Sequence, residues 1–233
     1  VTVAVIIPWR AGCPHRERSL TWVLDQHRHS HPDWDIALAT APRSGPWVKA
    51  DAIANGAAAA DADVLVIADA DVWCEHLEVA VDAVTTHGWA VPHDLVHRLS
   101  PDSTDQVLAG ADWPGLPLSA DNLRDSRPYR GFAGGGITVV RRDVLDAVPL
   151  DSRFVGWGHE DEAWAHALGT LIGPPWRGSA DLVHLWHPPQ QRATRSIGNQ
   201  TSRQLLARYR RARSDAAVMR TLVEEGRPCP SPT

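Results

Sequence analysis

The sequence predicts an α/β domain with a mostly parallel central sheet flanked by helices. Three observations predict it. Short continuous apolar runs, rich in β-branched residues, read as buried strands of a parallel sheet. Stretches with helical spacing or alanine enrichment separate those runs, so strand and helix alternate over residues 1–92. The chain has 233 residues and a hydrophobic content of 43%, enough for one sizeable core.

The elements follow in order. "VAVIIP" (3–8) is a β-branched run ended by proline and predicts the first strand. Residues 16–29 place Leu20, Val23, Leu24 and His27 at helical spacing. "DIALAT" (35–40) predicts a second strand. "PWVKADAIANGAAAA" (46–60) is alanine-rich with proline near its start, which favours a helix. "VLVIA" (64–68) is the third strand, 75–87 a helix and "WAVP" (89–92) the fourth strand. Residues 101–131, rich in Pro, Gly, Asp and Ser, predict a loop or insertion with one short helix. "GGGITVVRR" (134–142) is a glycine-rich turn into a strand, and 142–148 a short helix. "EDEAWAHALGTL" (160–171) is a helix whose acidic first turn complements the helix dipole. "ADLVHLWHP" (180–188) is extended, and 199–225 is a polar, arginine-rich helical tail. The expected organisation is a domain over 1–198, divided at 92/93, with the tail 199–233 packed on it.

Composition excludes several classes. The net charge of -5 gives no global argument for nucleic acid or an anionic membrane. No apolar run approaches the roughly 20 residues of a spanning helix, and the apolar start lacks a basic leader, so a cytoplasmic location is expected. Cys13, Cys74 and Cys229 are scattered and odd in number, which argues against a disulfide framework or a cysteine zinc site. Lys49 is the only lysine among 23 lysine and arginine residues, so arginine abundance by itself is weak evidence for anion binding. The 11 tryptophans can fill a core or stack on sugars, and position must decide.

The chemistry-bearing stretch is "ADADVLVIADADVW" (60–73), with Asp61-Ala62-Asp63 and Asp69-Ala70-Asp71 at opposite ends of one strand. Five strand residues separate them by about 17 Å, too far to share a metal. Ligands of open α/β sheets bind at the carboxyl ends of strands, which selects Asp69 and Asp71. The first triplet reads as a turn. A haloacid-dehalogenase-type phosphatase also runs a strand into Asp-x-Asp but needs a lysine later in the chain, and Lys49 lies upstream. A nucleotidyltransferase would need a glycine-rich loop after the first strand, where "PWRAGCPHRER" has a single glycine. A metal that bridges the diphosphate of a nucleotide sugar remains.

"VIIPWR", "KADAIANGAAAADADVLVIADADVW", "FAGGGITVVRRDVLDAVPLDSRFVGWGHEDEAWAHAL" and "HLWHP" together resemble GT-A glycosyltransferases. The resemblance is to the shared catalytic region of beta-1,4-galactosyltransferases and polypeptide N-acetylgalactosaminyltransferases. It covers 1–92 and 132–188 and implies a GT-A, Rossmann-like fold. It implies that Pro8, Trp9, Arg10, Lys49, Gly134, Gly135 and the Asp69-Ala70-Asp71 block face a nucleotide sugar, with a UDP-sugar favoured. It further implies that Asp161 is the general base of an inverting transfer, that Glu160 holds the acceptor, and that a late histidine joins Asp69 and Asp71 on Mn²⁺ or Mg²⁺.

The residues support these roles independently. Trp157, between Gly156 and Gly158, can lie flat on a sugar while the glycines let backbone approach a ligand. A carboxylate at Glu160 or Asp161 can take a hydroxyl proton. An imidazole beside carboxylates favours Mn²⁺ over Mg²⁺. His184 and His187 are three apart, so in an extended segment they face opposite ways, and both bind only if the chain turns. "HDLVH" could pair His93 with His97 on a helix. The expected partners are a nucleotide-sugar donor and a carbohydrate or other hydroxyl acceptor. Two alternatives stand beside this: a transferase acting on DNA bases through the basic tail, and a non-catalytic nucleotide-sugar-binding protein.

Overall fold

Val3–Trp9 forms β1 and is buried along its whole length. Ala4 and Ile6 face one apolar cluster, while Val3, Val5, Ile7 and Trp9 face another. Strand alternation thus divides a continuous apolar run between two layers of core. The computed structural model describes residues 1–40, 45–117, 121–126, 135–189 and 192–228, with only the backbone for 192–200.

The elements run on as α1 (Pro14–Ser30), β2 (Asp35–Thr40), α2 (Lys49–Ala59), β3 (Val64–Ala68), β4 (Val72–Cys74), α3 (Leu77–His87) and β5 (Trp89–Arg98). Then follow α4 (Pro101–Leu108), β6 (Leu123–Asp125), β7 (Ile137–Arg141), α5 (Arg142–Ala147), α6 (Glu160–Leu171), β8 (Trp176–His184), α7 (Arg192–Ala212) and α8 (Ala216–Glu225). The sheet order is β2-β1-β3-β7-β5-β8-β4, with β6 added to β5. β2, β1, β3, β5 and β8 run one way, while β4, β6 and β7 run against them. Among the described residues, five of the eight strands share a direction, and β1, β2 and β3 are the parallel group that the alternating first half predicts, but four of the seven pairings are antiparallel and the sheet is mixed. The helical crossovers α1 and α2 keep β1, β2 and β3 parallel.

Three details depart from the sequence reading. β4 is three residues long, too short to show a period, and pairs with β8 at the far edge. β5 continues through Pro92 to Arg98, so His93 and His97 lie on a strand, not a helix. The pairing of β5 with β8 slips on both sides of His93, as expected where a proline removes a ladder donor. A Cβ at Gly178 would collide with the Pro92 carbonyl, so only glycine fits opposite that irregularity. Third, the tail is two helices, broken at 213–215, and Leu205, Leu206, Tyr209, Met219, Leu222 and Val223 are buried in the cluster that also holds Ile53 and Leu168. Each such side chain, fully buried, contributes roughly 1.5–3 kcal/mol.

The tail arginines are partly committed within the chain. Arg208 meets Glu225 and Arg210 meets Glu162, each at 2.7 Å. The tryptophans divide by position. Trp9, Trp73, Trp89 and Trp164 are core, and the indole N–H groups of Trp89 and Trp164 donate to the carbonyls of Gly173 and Val148. Among the described residues, no helix is long and apolar enough to cross a membrane.

Candidate active site

β3 ends at Ala68, and the chain turns immediately through Asp69-Ala70-Asp71 into β4. The Asp69 N–H donates to the Gly136 carbonyl at 2.9 Å, and the Gly136 N–H donates back to Asp69 Oδ2 at 3.2 Å. Gly135 and Gly136 have φ of 83° and 72°, a left-handed pair that side chains resist, which is why glycine precedes β7. Asp71 is only 2% exposed. Its Oδ2 lies 3.4 Å from His187 Nε2 and 3.1 Å from Arg16 Nε.

His184 ends β8, and the His187 ring turns back to stand 5.5 Å from it, centroid to centroid. The strand stops there, so the opposite-faces expectation no longer separates the two rings. Asp71, His184 and His187 each offer a ligand atom, all within 4.8 Å of one another. Two imidazoles and a carboxylate suit a divalent first-row cation with some affinity for nitrogen, such as Mn²⁺. Asp69 points elsewhere, to Lys49 and the Gly136 N–H.

Lys49 opens α2 and is 6% exposed. Its Nζ lies 2.8 Å from Asp69 Oδ1 and 3.1 Å from Asp161 Oδ1, so one ammonium joins the two acidic motifs. Burial disfavours its charge, but Asp161, Asp69 and Glu160 outweigh that and hold its pKa well above the ordinary lysine range. Burial likewise opposes charge on Asp69, where Lys49 prevails and the carboxyl falls below its usual range. Asp161 goes the other way, because burial dominates the help from Lys49 and raises it. Glu160, 4% exposed, is pushed up to about 8 by burial and by Asp161, and its Oε2 has no hydrogen-bond partner. A neutral Glu160 is a hydrogen-bond donor waiting for an acceptor atom. The third acid, Glu162, is engaged by Arg210. One acidic first turn therefore holds three acids in three different environments, and His159 enters it at a left-handed φ of 82°.

A cavity of about 720 Å³ meets this site through Arg16, the partner of Asp71, and is lined also by Pro8, Arg10, Trp47, Arg153 and Trp157. Thr201 and Ser202 of α7 also line it, so the tail contributes to its wall. Of the residues expected to face the nucleotide, Pro8 and Arg10 line this cavity. Trp9 does not, because alternation sends it into the core at 7% exposure. Ala70 is fully buried in the same apolar cluster. Gly158 sits in the turn before α6, and Gly134 lies outside the described residues. Sequence reasoning missed Arg16, Trp47 and Arg153. Arg16 falls in "HRER" at a helix start, where general arginine abundance hid it.

No family model and no curated protein matches the chain. Solved structures do. The catalytic domain of Drosophila beta1,4-galactosyltransferase 7, in complex with xylobiose, aligns with a TM-score of 0.51 at 14% identity. That alignment covers 85% of this chain and 79% of that one. Glucosyl-3-phosphoglycerate synthase from Mycobacterium tuberculosis, with Mn²⁺, UDP and glucosyl-3-phosphoglycerate, aligns at 15% identity and a TM-score of 0.47. It covers 91% of this chain and 79% of that one. Strand order, the acidic turn at the end of β3 and the first of these alignments converge on one architecture: the chain has the GT-A glycosyltransferase fold.

Proposed function

We propose that the chain is a metal-dependent glycosyltransferase that moves a sugar from a nucleotide-sugar donor, a UDP-sugar by preference, to a hydroxyl acceptor with inversion. One observation carries the reading. Asp71, His184 and His187 converge at the carboxyl end of β3, Lys49 links the neighbouring Asp69 to Asp161, and Arg16 joins Asp71 to the wall of a large cavity. The fold shared with a galactosyltransferase catalytic domain supports the same class.

Asp71, His184 and His187 would hold the cation, with Asp69 close by and oriented by Lys49. When bound, the cation neutralises charge gathering on the leaving diphosphate. Pro8 and Arg10 line the nucleotide side of the cavity. Trp157 offers a flat face to the acceptor, and Glu160 in its neutral form donates a hydrogen bond to an acceptor oxygen. Asp161 takes the proton of the attacking hydroxyl as that oxygen bonds to the anomeric carbon. The anomeric carbon–oxygen bond to the diphosphate breaks, and its electron pair leaves with the diphosphate. Burial raises the Asp161 pKa above the ordinary carboxylate value, which makes it a stronger proton acceptor. The positive charge spread over the sugar in the transition state is offset by the charge that Asp161 still carries before its proton transfer is complete.

The test is a screen of UDP-, GDP-, dTDP- and ADP-sugars with Mn²⁺, read by nucleotide release. Release from a UDP-sugar, lost in Asp71→Asn, is the expected result. The enzyme reading fails if no donor is consumed or hydrolysed and Asp71→Asn leaves donor binding unchanged.

A further inference from the structure

Arg16 occupies the first turn of α1 and touches three parts of the site. Its Nε bonds Asp71 Oδ2 at 3.1 Å, and its Cζ lies 4.8 Å from the centroid of the Trp157 ring. It also lines the 720 Å³ cavity. The Asp71 side chain is 3% exposed and that of Arg16 19%, so the pair is poorly screened by water.

This placement conflicts with a bound cation. His187 Nε2 already faces the same Oδ2 at 3.4 Å. A divalent ion held by Asp71, His184 and His187 needs that carboxylate, and a guanidinium cannot release its charge to make room. Two cations a few ångströms apart beside one buried carboxylate repel strongly. Arg16 must therefore leave Asp71 when the ion arrives.

The cavity tells where it goes. Lys49 is bonded to both Asp69 and Asp161, and Arg153 is bonded to Asp151 and Glu225. Those two cations have carboxylates that a metal at Asp71 does not take. Of these three, Arg16 is the one whose carboxylate the metal would take. A guanidinium set free at the wall of this cavity meets the one strong anion expected there, a diphosphate, whose oxygens it can bond in pairs.

We propose that Arg16 is an exchangeable cation, which holds Asp71 before the metal binds and moves to the donor's diphosphate afterwards. The diphosphate half of this inference rests on the glycosyltransferase reading. Arg16 thereby opposes the metal in the absence of nucleotide and favours it in its presence, so metal and donor bind cooperatively. Linkage makes the effect reciprocal: the factor by which UDP tightens Mn²⁺ equals the factor by which Mn²⁺ tightens UDP. The same movement uncovers the face of Trp157 for an acceptor.

The experiment is Mn²⁺ titration followed by electron paramagnetic resonance of the free ion, with and without UDP, for the wild type, R16Q and R16K. R16Q is expected to bind Mn²⁺ alone about 5- to 10-fold tighter than the wild type, and UDP is expected to improve its Mn²⁺ affinity by correspondingly less. R16K keeps the charge and is expected to stay within about twofold of the wild type in Mn²⁺ affinity without UDP. If the wild type binds Mn²⁺ and R16Q binds it equally or more weakly, the exchange is overturned and the glycosyltransferase reading stands. If R16K matches R16Q, charge is not the agent and the exchange is again overturned. A wild type that binds neither Mn²⁺ nor UDP overturns both readings.

Discussion

The two ends of β3 carry the same three residues and do opposite things. At the amino end, Asp63 Oδ2 accepts from the Thr2 N–H at 2.9 Å and from Thr2 Oγ1 at 3.1 Å, in solvent, and pins the start of β1 beside β3. Arg142 binds the carbonyls of Ala57, Ala60 and Ala62 and closes the end of α2 over that turn. At the carboxyl end, Asp71 is buried against Arg16 and His187, and Asp69 against Lys49. The amino end joins backbone to backbone. The carboxyl end gathers charges from elements distant in sequence. The difference teaches that an Asp-x-Asp motif acquires chemistry from strand direction, because only one end of a parallel sheet faces the ligand crevice.

The largest expected effect separates the ends by activity. Asp71→Asn should lower Mn²⁺-dependent nucleotide release by more than about 100-fold, since even partners of metal ligands cost 10–100-fold when lost. Asp63→Asn should stay within about twofold of wild type in the same assay. An equal loss in both would break the comparison. Next comes Lys49→Met, which strands two carboxylates without their cation and should cost about 3–5 kcal/mol in urea unfolding. Arg142→Ala, at the other end, should cost about 2–3 kcal/mol of stability while the turnover of its folded fraction is unchanged.

The smaller effects concern pH, and the two ends should respond with opposite sign. The folded state holds a proton on Glu160 up to about 8, against an ordinary value of 4.5, so it binds more protons than the unfolded chain between those values. The stability contributed by this group therefore falls as pH rises through that window. In metal-free protein, Glu160→Gln should gain about 2–3 kcal/mol on the wild type between pH 5.5 and 7.5. A difference that does not change with pH would contradict the neutral carboxyl. Asp63 is the reverse. Its Thr2 hydrogen bonds hold its pKa below the ordinary carboxylate value of 3.8. Its contribution is present above that value and is lost as pH falls through the folded one. The stability gap between wild type and Asp63→Asn should therefore close in acid, which chemical unfolding at pH 6 and below pH 3 would detect.

Much of this was legible in the chain. β2, β3 and α6 begin and end where residues 35–40, 64–68 and 160–171 set them, since each is a short run with marked ends. The choice between the two aspartate triplets followed from strand direction alone. Other features had no local signal. β4 is too short to show a period. Trp9 and Ala70 belong to motifs that the resemblance assigns to the nucleotide, yet both side chains face the core. Lys49 was expected to reach a diphosphate, and it binds Asp69 and Asp161.

Sequence by itself determined the alternation of elements, and with it the α/β class, the position of the acidic turn at a strand's carboxyl end and the acidic first turn of α6. These depend on residue periodicity and chain direction, which are local properties. Tertiary structure alone decided which charges meet. The convergence of Asp71 with both late histidines, the bridging of Asp69 and Asp161 by Lys49, and the seating of Arg16 on Asp71 and Trp157 all join segments brought together by the sheet order. Coulomb energies and burial depend on those distances, and no periodicity encodes them.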